Sequence, residues 1–189
     1  NVIRPKTEEF HDFRGYAGKL YGGSLSVGDD VTVLPSKTSS KIKEIYHFDK
    51  TFETAERGSS VNITLENDIN ISRGDLLVKS SELPKESKQI EAKVCWMDAK
   101  NLIPGTKYLI QHGANRVVAK IADVQKVIKT DFSGEDTAAN RLTINDIGLV
   151  QIKLAKPLFY DSYVDNKTNG SFILIDSQTN NTSGVGFIQ

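Results

Sequence analysis

A period of two in side-chain character dominates this chain and limits what it can become. Val31-Thr32-Val33, Lys41-Ile42-Lys43, Val61-Asn62-Ile63-Thr64-Leu65 and Gln151-Ile152-Lys153-Leu154 each alternate apolar with polar residues. Successive Cβ atoms of a strand point to opposite faces, so such runs make one dry face and one wet face. Turn signals punctuate them at short intervals: Gly22-Gly23-Ser24, Gly28-Asp29-Asp30, Arg57-Gly58-Ser59, Ser72-Arg73-Gly74-Asp75 and Asn169-Gly170-Ser171. Short strands with regular turns predict an all-β sandwich or barrel. The best helical candidate, Gly134 to Leu142, is expected to give one or two turns in a connection.

The polar stretch Ser80-Ser81-Glu82-Leu83-Pro84-Lys85-Glu86-Ser87-Lys88 interrupts the alternation and reads as an interdomain linker. Beyond it Ile90, Ala92, Val94 and Trp96 share one face, with Glu91, Lys93 and Cys95 on the other. Trp96 is therefore expected in a core. About six candidate strands lie on each side, a number that closes a small barrel and removes its edges. The expected architecture is all-β, two tandem six-stranded antiparallel β-barrels, over residues 1–82 and 89–189, joined by a linker at 83–88.

Composition narrows the function. At 189 residues the chain can bury two small cores. Its 24 basic and 24 acidic side chains cancel, leaving no global field for a phosphate backbone or an anionic bilayer, so neither nucleic acid nor a membrane is an expected partner. The single cysteine, Cys95, forms no internal disulfide, which fits a reducing cytoplasm. The longest apolar run, Phe172 to Ile175, is far short of the roughly 20 residues of a membrane helix. The opening Asn1-Val2-Ile3-Arg4-Pro5 reads as the middle of a longer polypeptide.

Catalytic motifs are not legible. A phosphate-cradling loop needs a glycine-rich turn ending in Gly-Lys-Ser/Thr, and none occurs. Asn166-Lys167-Thr168-Asn169 and Asp131-Phe132-Ser133-Gly134 imitate a guanine-reading and a switch motif, but the first lacks its final aspartate, and both read as turns. His11, His47 and His112 are too dispersed for a metal-ligand pair and are expected at the surface, with no metal site. Cys95 has no neighbouring histidine and reads as structural. Arg73-Gly74-Asp75, an adhesion tripeptide in other contexts, is expected to be a turn feeding Leu76-Leu77-Val78, and the sequons at Asn62, Asn70 and Asn181 carry no weight in a cytoplasmic chain.

Gly15-Tyr16-Ala17-Gly18-Lys19, the run from Gly22 to Val31, Val33-Leu34-Pro35, Lys43-Glu44-Ile45 and Ser72-Arg73-Gly74-Asp75 together resemble the second domain of translational GTPases of the elongation factor Tu class. A narrower set is collinear along the whole chain: Asn1-Val2-Ile3-Arg4-Pro5, Phe13-Arg14-Gly15-Tyr16-Ala17-Gly18, Val33-Leu34-Pro35-Ser36, Asp68-Ile69-Asn70-Ile71-Ser72-Arg73-Gly74-Asp75, Val94-Cys95-Trp96-Met97, Asn145-Asp146-Ile147-Gly148, Pro157-Leu158, Tyr163, Asn169 to Asp176 and Thr179 to Thr182. This set resembles the GTPase (large) subunit of bacterial sulfate adenylyltransferase. Asn169 departs from the usual threonine, and Ser183-Gly184-Val185-Gly186-Phe187 is a looser form of the usual ending.

The resemblance implies a heteromeric enzyme whose small subunit makes adenosine 5′-phosphosulfate from ATP and sulfate, driven by GTP hydrolysis on the large subunit. In that family a GTPase domain precedes the barrels, so GTP and Mg are expected there; no catalytic, GTP-binding, metal or cofactor residue is expected in this stretch. The implied partners are that N-terminal GTPase domain and the small catalytic subunit. The candidate docking surface is the loops around Arg14 and Arg73, since exposed arginines anchor interfaces; each could instead serve only an internal contact. The alternative is a translation elongation factor barrel pair that binds aminoacyl-tRNA, which needs a basic, aromatic-bearing surface. The charge balance and the Val94-Cys95-Trp96-Met97 segment speak against it. A third reading, a free-standing enzyme in a barrel, finds no acid, base and nucleophile set to support it.

Overall fold

The computed structural model describes residues 2–3, 14–48, 50–129 and 134–189. His11, Arg4, Pro5, Phe13 and most of Asp131-Phe132-Ser133-Gly134 lie outside the described residues. The chain divides into two compact units, Asn1–Leu83 and Pro84–Gln189.

The first unit contains β1 (Val2–Ile3), β2 (Gly15–Lys19), β3 (Ser24–Ser26), β4 (Asp30–Leu34), β5 (Thr38–His47), β6 (Lys50–Phe52), β7 (Thr54–Glu56), β8 (Ser60–Leu65) and β9 (Leu76–Lys79). Six of them follow the antiparallel path β1-β2-β8-β5-β4-β9, with β6 paired to β5 alone and β3 paired with β7 in a separate ribbon. Backbone bonds tie that ribbon to the sheet: the Gly28 amide donates to the Ile42 carbonyl at 2.8 Å, and the Ile42 amide to the Asp29 carbonyl at 3.0 Å. The alternation read in the sequence supplies the core, with Val31, Ile42, Ile45 and Ile63 turned inward against Leu25 and Tyr16.

The second unit contains β10 (Lys85–Trp96), β11 (Lys107–His112), β12 (Asn115–Ile128), β13 (Glu135–Asp136), β14 (Ile147–Tyr160), β15 (Ser171–Ile175) and β16 (Thr182–Ile188). The order β11-β15-β16-β10-β14-β12 returns to β11, so six antiparallel strands form a closed barrel and β13 hangs from β12. Closure leaves none of the six with an unpaired edge. Long strands bend around the barrel through irregularities in register. In β12 the inward set runs Val117, Ala119, Ile121 and then Val124. The change from odd to even positions falls where the pairing with β14 shifts, between Ile121 and Asp123, and a second shift between Val124 and Lys126 turns Val127 back toward the core; each extra residue reverses the face of those that follow it.

Trp96 is fully buried, as its place in the alternation predicts. Its ring meets Tyr108 edge-on at 5.4 Å, and its indole N–H donates to the Lys100 carbonyl at 2.9 Å, so the one polar atom of the side chain is satisfied inside the core.

Three expectations need correction. Residues 85–88 are strand rather than linker, because Lys85, Glu86 and Ser87 pair with Tyr160, Phe159 and Leu158 at the far end of β14. They looked like a linker because this end of the strand reaches past the core and most of its side chains face water. Gly134 to Leu142 is not helical: Glu135–Asp136 pairs with β12, and the Asp136 carboxylate then accepts the Ala138 and Ala139 amides, a side-chain turn that competes with a helix. His112 is buried, with Nε2 2.8 Å from the Asn169 carbonyl oxygen, whereas His47 is exposed.

Candidate functional site

One turn design recurs three times, and it decides what Arg73 can do. In Ser26-Val27-Gly28-Asp29, Ser72-Arg73-Gly74-Asp75 and Thr143-Ile144-Asn145-Asp146 the aspartate amide donates to the first residue's carbonyl, at 3.1, 3.1 and 3.0 Å. The aspartate carboxylate in return accepts the first residue's amide, at 2.8, 2.7 and 2.7 Å. The third position is left-handed, with φ of 86°, 101° and 69°, which explains glycine twice and asparagine once. The second position points outward: Val27 is 39% and Ile144 50% exposed, and Arg73 is exposed in the same slot. Turn chemistry therefore accounts for the serine, the glycine and the aspartate. It gives the arginine no role in the turn and leaves its side chain exposed.

Arg14 has the opposite fate. Its side chain is only 16% exposed and pairs with the Asp68 carboxylate. One terminal nitrogen donates to Asn70 Oδ1 at 2.9 Å, and the guanidinium carbon lies 5.7 Å from the centre of the Tyr16 ring. The Tyr16 hydroxyl donates to the Ile69 carbonyl at 2.6 Å. Three consecutive residues after β8 are thus fastened to the start of β2, and the fastened segment leads straight into the turn that carries Arg73. Of the two arginines marked in the sequence, one holds the loop and the other is displayed by it. Sequence reasoning missed Tyr16, Asp68 and Asn70 as the partners in this clamp: the motifs that contain them say nothing of what they touch, and Asn70 lies 56 residues from Arg14. Among the described residues Arg14 Nε and Asn62 Oδ1 are buried polar atoms without a hydrogen-bond partner, and the Asn62 amide presses against Gly15, where any Cβ would collide with it.

A hollow of about 370 Å³ in the same unit is lined by Asp29, Asp30, Lys79, Ser80, Ser81 and Glu82. Two of its three carboxylates are paired: Lys79 lies 3.1 Å from Asp29, and Asp30 lies 2.9 Å from Lys41. The Ser26 amide, helped by Lys79, holds the Asp29 carboxyl below the ordinary aspartate range against some opposing desolvation. In the second unit the Lys100 amide and the Ser183 hydroxyl lower Asp98, and the Thr179 and Gln178 amides lower Asp176. Burial, assisted by those two carboxylates, pushes the Tyr108 phenol up to about 12. Every one of these shifts moves its group away from neutrality, the reverse of what general acid–base work at pH 7 requires. Among the described residues no group of three or more His, Cys, Asp or Glu is arranged to hold a metal ion. No helix among them is long and apolar enough to cross a membrane.

Asn166-Lys167-Thr168-Asn169 forms a turn in which both asparagine amides donate to Asp161 at 3.0 Å, and Arg73-Gly74-Asp75 does feed β9. Residues 89–189 match the family described as GTP-eEF1A C-terminal domain-like. The chain belongs to that family. Among relatives of this GTP-eEF1A C-terminal domain-like chain, sulfate adenylyltransferase subunit 1 of Colwellia psychrerythraea is 41% identical over 178 residues, covering 94% of this chain and 38% of that protein. The bifunctional enzyme CysN/CysC of Rhodopirellula baltica is 36% identical over 178 residues, covering 94% of this chain and 27% of that protein. The chain thus spans about two fifths or less of the length of these relatives. They bear out the resemblance to the sulfate adenylyltransferase large subunit drawn from the motifs. Sup35 complexed with GDP superposes with a TM-score of 0.81 at 17% identity, over 93% of this chain and 43% of that one. Translation elongation factor SelB from Methanococcus maripaludis gives 0.77 at 21%, over 100% of this chain and 41% of that one. The fold is that of the paired β-barrels of translational GTPases.

Proposed function

We propose that these barrels are a non-catalytic part of the GTP-hydrolysing large subunit of a cytoplasmic sulfate adenylyltransferase. In this reading GTP and Mg bind a GTPase domain elsewhere in the polypeptide, and a small subunit forms adenosine 5′-phosphosulfate from ATP and sulfate. The barrels hold the GTPase domain and present a surface to the small subunit, so that the nucleotide state biases a rigid-body arrangement. The observation that carries the proposal is the 41% identity to sulfate adenylyltransferase subunit 1 over 178 residues, a span that takes in both units.

Within that role Arg73 is the docking residue and Arg14 its support. The turn does not need an arginine at position 73, and the Arg14 clamp fixes the loop that carries it. An arginine held on a rigid turn offers a planar fork suited to a carboxylate on the partner. Calorimetric titration of the chain with the small subunit tests this. Binding is expected, and Arg73→Ala should weaken it about tenfold or more. Equal binding by the variant overturns the role of Arg73. Absence of small-subunit binding together with salt-dependent capture of aminoacyl-tRNA would replace the whole reading with an elongation factor one.

A further inference from the structure

On the outer face of the second unit three lysines stand side by side on neighbouring strands. Lys107 of β11 pairs with Lys120 of β12, and Lys120 pairs with Lys153 of β14, so the three lie on one line across the sheet. All three are exposed, and none forms an ion pair among the described residues. Neighbouring strands lie about 5 Å apart, so the row spans about 10 Å, close to the screening length at physiological salt, and its charges act together. Like charges directly opposite each other destabilise a sheet. Lysine is useful on an open sheet edge, where it discourages pairing with another chain. β11, β12 and β14, however, each have a hydrogen-bonded neighbour on both sides, so edge protection does not account for the row.

What flanks the row decides what fits it. On one side the next outward residues of the same strands are aliphatic: Leu109, Val118, which is 47% exposed, and Ala155. Beyond them Arg116 is held by Gln111 at 3.0 Å. On the other side Asp123 pairs with Gln151 and Gln151 with Glu91, whose carboxylate accepts the Gln151 amide at 2.7 Å. At the β10 end Gln89 stands opposite Lys153, with Lys88 and Lys156 exposed where β10 and β14 lose register. A phosphate backbone crossing this face would meet Asp123 and Glu91, and neither flank carries an aromatic ring on which a base could stack. A row of cations beside an aliphatic strip instead complements a protein segment whose carboxylates are set beside apolar side chains. We infer that this face docks such an acidic segment of the small subunit of the adenylyltransferase. The inference rests on the function proposed above. Within that function the charge selects the small subunit over the GTPase domain, because electrostatic steering speeds a partner that arrives by diffusion and adds little for one already tethered in the same polypeptide.

Combining Lys107→Gln, Lys120→Gln and Lys153→Gln in the full chain tests the inference. Its affinity for the small subunit, measured by calorimetric titration, should fall about tenfold or more, and the salt dependence of binding should weaken with it. The thermal midpoint should stay level or rise, because opposed like charges are removed. The corresponding triple Lys→Arg variant keeps the charge and should bind within about threefold of the unaltered chain. Unchanged affinity in the triple Lys→Gln variant, with the unaltered chain binding and Arg73→Ala impaired, overturns the lysine row and leaves the proposed function standing. An equal loss in both triple variants also overturns it, since charge would then not be what the partner reads. No binding by the unaltered chain overturns both. If small-subunit affinity is unchanged while an RNA duplex or phosphatidylserine vesicles retain the unaltered chain and not the triple Lys→Gln variant, the face belongs to a phosphate-bearing partner and the inference is overturned.

Discussion

The two units reach the same class of fold by different means. In the second, each of six barrel strands has a hydrogen-bonded neighbour on both sides, and a large buried cluster includes Trp96 and Tyr108. In the first, the six-strand path ends at β1 and β9 without those two pairing among the described residues, a smaller cluster fills the interior, and side chains supply much of the positioning. There the Ser26–Asp29 and Ser72–Asp75 turns, the Asp29–Lys79 pair and the Arg14 clamp fix loops that the sheet alone leaves unconstrained. A closed barrel is sensitive to packing. A sheet pinned by polar side chains is sensitive to charge, and Arg73 stands exposed on one of its turns.

The largest effect belongs to the packed barrel. Trp96→Ala should destabilise the second unit by about 3–5 kcal/mol through the cavity and the lost indole contacts, read as faster hydrogen exchange in β10, β14 and β16. Protection in β8 should be kept; its equal loss would break the comparison by making the two units one cooperative block. Next comes a pair of glycines. A Cβ at Gly186 runs into the Phe172 ring, whereas nothing lies within 4 Å of one at Gly18. Gly186→Ala should cost about 1–3 kcal/mol by overpacking, and Gly18→Ala about 0.5 kcal/mol or less in either direction. Urea denaturation followed by the fluorescence of the single tryptophan measures the first, and hydrogen exchange in β2 the second.

Charge should matter in the first unit instead. The Asp29 carboxyl is held below its ordinary value of 3.8 chiefly by the Ser26 amide. Its contribution is fully present above that unfolded-state value and disappears as pH falls through the lower folded value. Asp29→Asn should therefore lose about 1 kcal/mol at pH 7, and the gap to the unaltered chain should narrow in acid, as denaturation at pH 7 and pH 3 will show. Arg14→Ala should loosen residues 68–70 with a loss of about 1 kcal/mol or less, since its partner Asp68 is 77% exposed. Arg73→Ala should change stability by less than about 0.5 kcal/mol; a larger loss would erase the distinction between the arginine that holds the loop and the one it displays.

The all-β class, the burial of Trp96 and the turn at Arg73-Gly74-Asp75 were legible because each depends on local pattern: alternation for the first two, turn chemistry for the third. What escaped depends on partners remote in sequence. The strand at 85–88 looks polar because its pairing to Leu158–Tyr160, not its own composition, makes it a strand. His112 looks like any surface histidine until the Asn169 carbonyl is brought to it across 57 positions. Arg14 and Arg73 carry the same side chain, and only the Asp68, Asn70 and Tyr16 contacts separate the inward one from the outward one.

Under the proposed function this chain docks rather than reacts. Titrating it into a mixture of complete large subunit and small subunit, while following adenosine 5′-phosphosulfate formation driven by GTP, tests that directly. The chain should occupy the small subunit and suppress synthesis in a dose-dependent way, without hydrolysing GTP itself. Undiminished synthesis at saturating chain, or GTP turnover by the chain alone, would contradict the account.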